Sequence, residues 1–310
     1  MGPTPLRAAS VAATTAVLAA LVTPTASSAT VPTAPAPVRK PHYVALGDSS
    51  AAGPLIPPQT SLPCLRSGRN WPAVAAARLG AEITDVTCSG ATTADLAGRQ
   101  FGLVRPQLDA LRADTDLVTL AVGANDIGLG IVVPSCVRLH PQAAGLSPTC
   151  KSVYTAGGRD RLAERITRTA PKIATALRQI HRRSPHARVY VVTYGTYYQP
   201  GGCWPKDPVW PVDADYVQNT FDRLHTMLAE RAAAGDAGFV DIRTPSARHG
   251  VCAAKGEKWM EGLIPGSAAA PYHPNRTGMA HSGATVADAV GPVRSAGAPR
   301  SGAGQGDTTR

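Results

Sequence analysis

The chain has 310 residues, 44% of them hydrophobic and 17% charged, enough for one large domain with a core or for two small ones, and no internal repeat divides it. The formal net charge is +10, but the excess is mostly arginine scattered along the chain. The one dense cluster, Arg178, Arg182, Arg183 and Arg188 with His181 and His186, ends a helical pattern where cations suit the helix dipole, so the basic stripe of a nucleic-acid binder is absent and no nucleic-acid partner is expected.

In chain order, the first element is a targeting segment. Arg7 precedes "AASVAATTAVLAALV", an apolar run too short and too alanine-rich for a membrane span. Small residues suited to cleavage follow in "TASSAT", near Ala29. Residues 1–29 therefore read as a signal peptide, 30–40 as a proline-rich linker and 41–294 as the folded domain. The Gly/Ser/Ala-rich residues 295–310 read as a disordered tail. A secreted monomer without a stable membrane anchor is expected. Six cysteines suit export and disulfides, and none forms the C-x-x-C pair of a zinc knuckle, so no metal is expected. Pairing sequence neighbours predicts Cys64–Cys88, Cys136–Cys150 and Cys203–Cys252.

From residue 42 the pattern alternates. "YVAL" predicts a strand, and "NWPAVAAARL" a helix with Asn70 as N-cap and Pro72 in its first turn. "EITDVTC" predicts a second strand, and "ADLAG" through "PQLDALR" a weaker helix. Leu117 to Val122 is apolar nearly throughout, as for a strand buried on both faces. Leu162, Ile166, Ile173, Leu177 and Ile180 mark one face of a helix over about 158–183, which Pro171 should kink. "ARVYVVTYG" predicts a strand, Val217, Phe221, Leu224 and Leu228 a helix, and "GFVDI" a fifth strand; a last helix should run from about Asn275 to Val290. Five alternations predict an α/β fold, a parallel sheet with helices on both faces.

Sites in such sheets lie at the carboxyl ends of strands. There the sequence places Gly47-Asp48-Ser49, Cys88-Ser89-Gly90 and Gly123-Ala124-Asn125-Asp126. Ser49 is either the cap of a following helix or a nucleophile awaiting a base. The nucleophile elbow G-x-S-x-G does not match, because Ala51 stands at its second glycine, and the phosphate-binding P-loop does not match either. Gly90, by its backbone N–H, and Asn125, by its amide, could bind the oxyanion of acyl transfer, with the N–H of Ser49 as a third donor. Alternatively they serve only their turns. Among eight histidines, His273 just before the last helix is the first candidate base and His249 the second. Residues 195–212 hold Tyr197, Tyr198, Trp204 and Trp210, which wall an acyl pocket or form a loop mini-core around Cys203.

In order along the chain, "GDSSAAG", Gly90, "GAND" and "HPNRTG" resemble the four sequence blocks of the SGNH hydrolases, also called the GDSL esterase/lipase family. The likeness is to secreted actinobacterial lipases and esterases and runs from about residue 41 to 292, cysteine spacing included. The resemblance implies a three-layer α/β/α sandwich around a five-stranded parallel, flavodoxin-like sheet. It also implies Ser49 as nucleophile, His273 as general base and acid, an oxyanion hole from Ser49, Gly90 and Asn125, an ester substrate and no cofactor. Many members place Asp three residues before the histidine, where this chain has Ala270. Either a backbone carbonyl, most simply that of Ala270, or a distant carboxylate then accepts from the imidazole, and a Ser-His dyad is expected. The rival readings are a carbohydrate O-deacetylase of the same fold and a noncatalytic exported protein that binds a lipid or glycan.

Overall fold

The computed structural model describes residues 39–142 and 147–293. The expected signal peptide, nearly all of the expected linker and the expected tail lie outside the described residues.

The chain begins with β1 (His42–Gly47), a one-turn helix α1 (Ser49–Ala52) and a small antiparallel pair, β2 (Gln59–Ser61) and β3 (Arg66–Ser67). Then come α2 (Trp71–Leu79), β4 (Glu82–Asp85), a 3₁₀ turn at Gln107–Ala110 and β5 (Leu117–Ala121). Two short helices, α3 (Leu129–Ser135) and α4 (Cys150–Tyr154), precede the long α5 (Arg161–Arg183). The rest is β6 (Arg188–Val192), α6 (Pro211–Ala234), β7 (Gly238–Val240) and α7 (Arg276–Val290).

Local chemistry accounts for the helix starts. The side chain of Asn70 accepts from Ala73 N at 3.1 Å, Asp160 from Leu162 N and Ala163 N, and Asn275 from Gly278 N. α5 continues through Pro171 without a break. Pro171 is exposed, as is Thr167, whose carbonyl loses its helical donor, so water can supply the missing bond. The stretch 94–112, expected to be helical, is turns and one 3₁₀ segment, since Gly98, Gly102 and Pro106 interrupt it.

β4, β1, β5, β6 and β7 lie side by side in that order, all parallel. Counted along the chain this is the 2-1-3-4-5 order of a doubly wound sheet, whose switch point falls between β1 and β5. Strand alternation separates two cores. Tyr43, Ala45 and Leu117 face α2 and α7, packing with Trp71, Met279 and Val286. Val44, Leu46, Val118 and Leu120 face α5 and α6, packing with Ile173, Leu177 and Leu224. Each fully buried apolar side chain stabilises this three-layer sandwich by about 1.5–3 kcal/mol.

The three expected disulfides are present: Cys64–Cys88, Cys136–Cys150 and Cys203–Cys252. All three tie segments that leave the carboxyl ends of strands, each contributing on the order of 2–4 kcal/mol.

Candidate active site

The site assembles at the switch point. β1 and β5 run so close at their ends that a Cβ on Gly47 would stand 2.7 Å from the Ala121 carbonyl oxygen. Asp48 follows and caps α1, accepting from Ser50 N at 2.9 Å and Ser50 Oγ at 2.7 Å. Capping is thus the work of Asp48, which leaves the Ser49 hydroxyl free. It lies 2.7 Å from His273 Nε2, across 224 residues of chain.

His273 Nδ1 lies 2.8 Å from the carbonyl oxygen of Pro271. A carbonyl can only accept, so Nδ1 carries the proton of the neutral ring. Nε2 is then unprotonated, and the Ser49 hydroxyl donates to it. Burial lowers the pKa of His273, with the Pro271 bond partly opposing the shift. The expectation for Ala270 is corrected here. Its carbonyl accepts the backbone N–H of His273 at 3.2 Å, closing a turn, and the next carbonyl is the one aimed at the ring.

No carboxylate bonds His273 among the described residues. Glu261 is occupied by Ser267 Oγ, Gly266 N and Asn275 Nδ2, and Asp241 by Thr244 with His225 nearby. His249 stacks on Trp259 at 4.2 Å and bonds Glu257 O through Nδ1.

Three strand ends each offer a donor, and of these residues Ser49 and Asn125 line the cavity described below. Ser49 opens α1, so its N–H has no intrahelical acceptor. Gly90 holds φ +82°, a left-handed conformation that favours glycine. Neither N–H has a hydrogen-bond partner among the described residues. Asn125 Nδ2 donates one hydrogen to Ala91 O at 2.9 Å, which orients the amide and leaves its second hydrogen available. Asp126 accepts from Thr93 N at 2.9 Å and from its hydroxyl, tying the loop after β4 to the loop after β5.

Beside Ser49 and His273 opens a cavity of about 260 Å³. Leu129, Val133 and Pro134 of α3, with Phe221 of α6 and Leu263, make its walls largely apolar. Of the four expected aromatics only Tyr197 lines it, stacked on Phe221 at 4.0 Å. The expectation for Tyr198, Trp204 and Trp210 is corrected, since none of the three lines the cavity. Tyr198 Oη donates to Asp207 Oδ2 at 2.6 Å, Trp204 Nε1 to Arg138 O at 3.3 Å and the buried Trp210 Nε1 to His140 O at 2.9 Å. Tyr198 thus spends its polar atom within residues 195–212, and the two tryptophans spend theirs on the segment between β5 and α5.

The profile of the GDSL-like lipase/acylhydrolase family matches residues 45–281, a span that includes all four strand-end and loop residues above. The chain belongs to this family. The protein is a GDSL-type hydrolase of carboxylic esters. It is 36% identical to Lipase 2 of Streptomyces coelicolor over 256 residues, 80% of this chain and 85% of that one. Its identity to a lipase of Streptomyces rimosus is 29%, over 76% of this chain and 82% of the other. The fold is shared with phospholipase A1 from Streptomyces albidoflavus NA297, at a TM-score of 0.66 and 24% identity, over 81% of this chain and 98% of that one.

Sequence reasoning missed one part of this GDSL hydrolase. Tyr194 Oη donates to Asp48 Oδ2 at 2.7 Å and accepts from Ala124 N at 3.0 Å. One buried hydroxyl thereby joins the residue before Ser49 to the residue before Asn125. Burial pushes the Asp48 carboxyl up to about 6, against the hydrogen bonds from Tyr194 and Ser50 that favour its charge. A signal was available. Tyr194 lies just past the end of β6, where the strand-end rule had already pointed for β1, β4 and β5.

Proposed function

We propose that the protein is a secreted serine esterase or lipase acting through an acyl-enzyme on Ser49, with His273 as general base and acid. The observation that carries this reading is the 2.7 Å contact of Ser49 Oγ with His273 Nε2, on a ring whose other nitrogen is held by Pro271. As Ser49 Oγ attacks the ester carbonyl carbon, its proton passes to Nε2. The carbonyl oxygen becomes an oxyanion, which receives hydrogen bonds from Ser49 N–H, Gly90 N–H and Asn125 Nδ2. The imidazolium then protonates the departing alkoxide, giving the free alcohol and an acyl group on Ser49. Water, deprotonated by His273, attacks that acyl group and releases the acid. Pro271 supplies a neutral acceptor in place of a carboxylate, so Ser49 and His273 work as a dyad.

The apolar walls of the cavity favour an acyl chain over an acetylated sugar as the group bound there. A chain-length series of soluble chromogenic esters, run beside acetylated xylan, tests this. Activity rising beyond the acetyl ester supports the lipase/esterase reading, and a preference for acetylated xylan favours the O-deacetylase. In the same proposal residues 1–29 are removed on export, 30–40 link to the catalytic domain 41–294, residues 295–310 form a tail, and the enzyme acts as a monomer. All the described cysteines are paired, as suits an oxidising compartment.

Asn125→Ala should lower kcat by roughly 10²–10³ with little change in KM, because the amide bonds the oxyanion more strongly than the ground-state carbonyl. Steady-state kinetics on a soluble ester measure this, and an effect confined to KM would assign Asn125 to substrate binding only. Tyr194→Phe should leave Asp48 and Ala124 N–H without their shared partner. A loss of about 1–3 kcal/mol in denaturant unfolding is expected. Misplacement of the donors should also lower kcat by about 10- to 100-fold. An unchanged kcat in a destabilised variant would make the hydroxyl purely structural.

A further inference from the structure

Nine large hydrophobic side chains stand exposed among the described residues, and all nine lie in segments that leave the carboxyl ends of the sheet's strands. Leu62 and two others follow β1; Phe101 and Leu103 follow β4; Ile131, Leu139 and Val153 lie between β5 and α5; Ile264 lies between β7 and α7. The outer faces of α2, α5, α6 and α7 carry none. Exposed apolar residues scattered singly need no explanation, but a set confined to one rim marks a binding face.

Two of them adjoin residues that line the cavity, and a third lies beside Gly90. Ile131 is 77% exposed beside Gly130, which lines the cavity. Ile264 is 84% exposed beside Leu263, which also lines it. The ring of Phe101 is 3.7 Å from where a Cβ on Gly90 would stand. Ile264 also lines a second hollow, with Lys206, Lys255 and Lys258. The acidic Glu261 in that hollow has both oxygens engaged by Asn275, Ser267 and Gly266 N, and the exposed Glu257 lies between two of the lysines in sequence. The buried Asp207, beside Lys206, is likewise engaged by Leu263 N and Tyr198, so the rim pairs apolar side chains with lysines whose neighbouring carboxylates are mostly turned inward, on a chain of net charge +10.

We propose that the carboxyl rim is a docking face for an anionic lipid surface. Ile131, Phe101 and Ile264 enter the apolar layer around the cavity mouth, while Lys255 and Lys258 meet lipid phosphates. An ester in that layer then reaches Ser49 without crossing water. The inference draws on the esterase reading only for the site that the face surrounds.

The test uses the Ser49→Ala protein, so that lipid is not consumed, and co-sedimentation with phosphatidylcholine vesicles made with and without phosphatidylglycerol. Binding to the anionic vesicles should be at least about tenfold tighter, and the difference should shrink with added salt. In that protein, Ile131→Asp with Ile264→Asp should weaken binding to both vesicles. Lys255→Glu with Lys258→Glu should remove the preference for the anionic ones. With Ser49 intact, the isoleucine double variant should keep its activity on a soluble short-chain ester, which shows that it is folded. Absence of vesicle binding, or binding unchanged by these substitutions, overturns the proposal. So does self-association of the protein through this face without vesicle binding. Residual hydrolysis by the Ser49→Ala protein would instead count against the esterase reading, and sedimentation would still decide the docking face.

Discussion

Ser49→Ala is expected to abolish ester hydrolysis and leave the fold in place. The hydroxyl is the proposed nucleophile, and without it no acyl-enzyme can form; loss of a serine nucleophile elsewhere costs about 10⁶ in kcat. Structurally the change removes one oxygen from the first residue of α1, together with its bond to His273, a loss of about 1 kcal/mol. The capping of α1 survives, because Asp48 performs it. An organophosphonate should give a stable adduct on Ser49 of the unaltered enzyme, located by peptide mass spectrometry. Ser50 is the neighbour to watch. Its hydroxyl donates to Asp48 at 2.7 Å and so is held in the cap. An adduct on Ser50, or substantial activity in Ser49→Ala, would overturn the assignment.

His273→Ala should lower kcat by several orders of magnitude, whereas His249→Ala should change it little, since His249 is stacked on Trp259 and bonded to Glu257. The pH profile carries a sign. As the proposed base His273 works as neutral imidazole, so kcat/KM should rise with pH and level off once the ring has lost its proton. Burial lowers the pKa of His273, so the midpoint should fall below the ordinary histidine value of about 6.5. A midpoint above that value would mean that the ring is charged more readily than its setting permits. Linkage gives the matching stability trend. In the window between the lowered folded pKa and about 6.5 the unfolded chain holds more protons, so this group's contribution weakens as pH falls through it. The dyad makes a further demand. Asp241→Asn and Glu261→Gln should each retain most of kcat, whereas Asp→Asn in a true triad lowers it by about 10⁴. Glu261→Gln should still lower the melting temperature, because that carboxylate binds Ser267, Gly266 and Asn275. A loss near 10⁴ in either folded variant would restore a triad.

Much of this enzyme is legible in its residues, because the features concerned are local. The apolar run at Leu117–Ala121 has to be covered on both faces, and that requires a central strand. Asn70 and Asn275 start helices because their side chains reach N–H groups three residues ahead. Ser49, Gly90, Asn125 and His273 stand out because small and polar residues at strand ends and before the last helix have no packing reason to be there. The alternation of strands and helices then leads to a parallel sheet with its site at the carboxyl rim.

The sequence by itself determined the five sheet strands and the long helices, the residues at the strand ends and the supply of donors and acceptors. Only the tertiary structure decided which of those groups bond one another. The Pro271 carbonyl faces the imidazole, and that of Ala270 does not, because the turn from Ala270 to His273 consumes the earlier one and Tyr272 takes a left-handed φ of +57°. Trp204 and Trp210 are held against the segment between β5 and α5, where their N–H groups find carbonyls at Arg138 and His140, more than sixty residues away. Tyr194 reaches Asp48 across 146 residues, a partnership created by placing β6 beside β5 and β5 beside β1. Periodicity and propensity act over a few residues, whereas a hydrogen-bond partner is chosen by the geometry of chain ends that the sheet brings together.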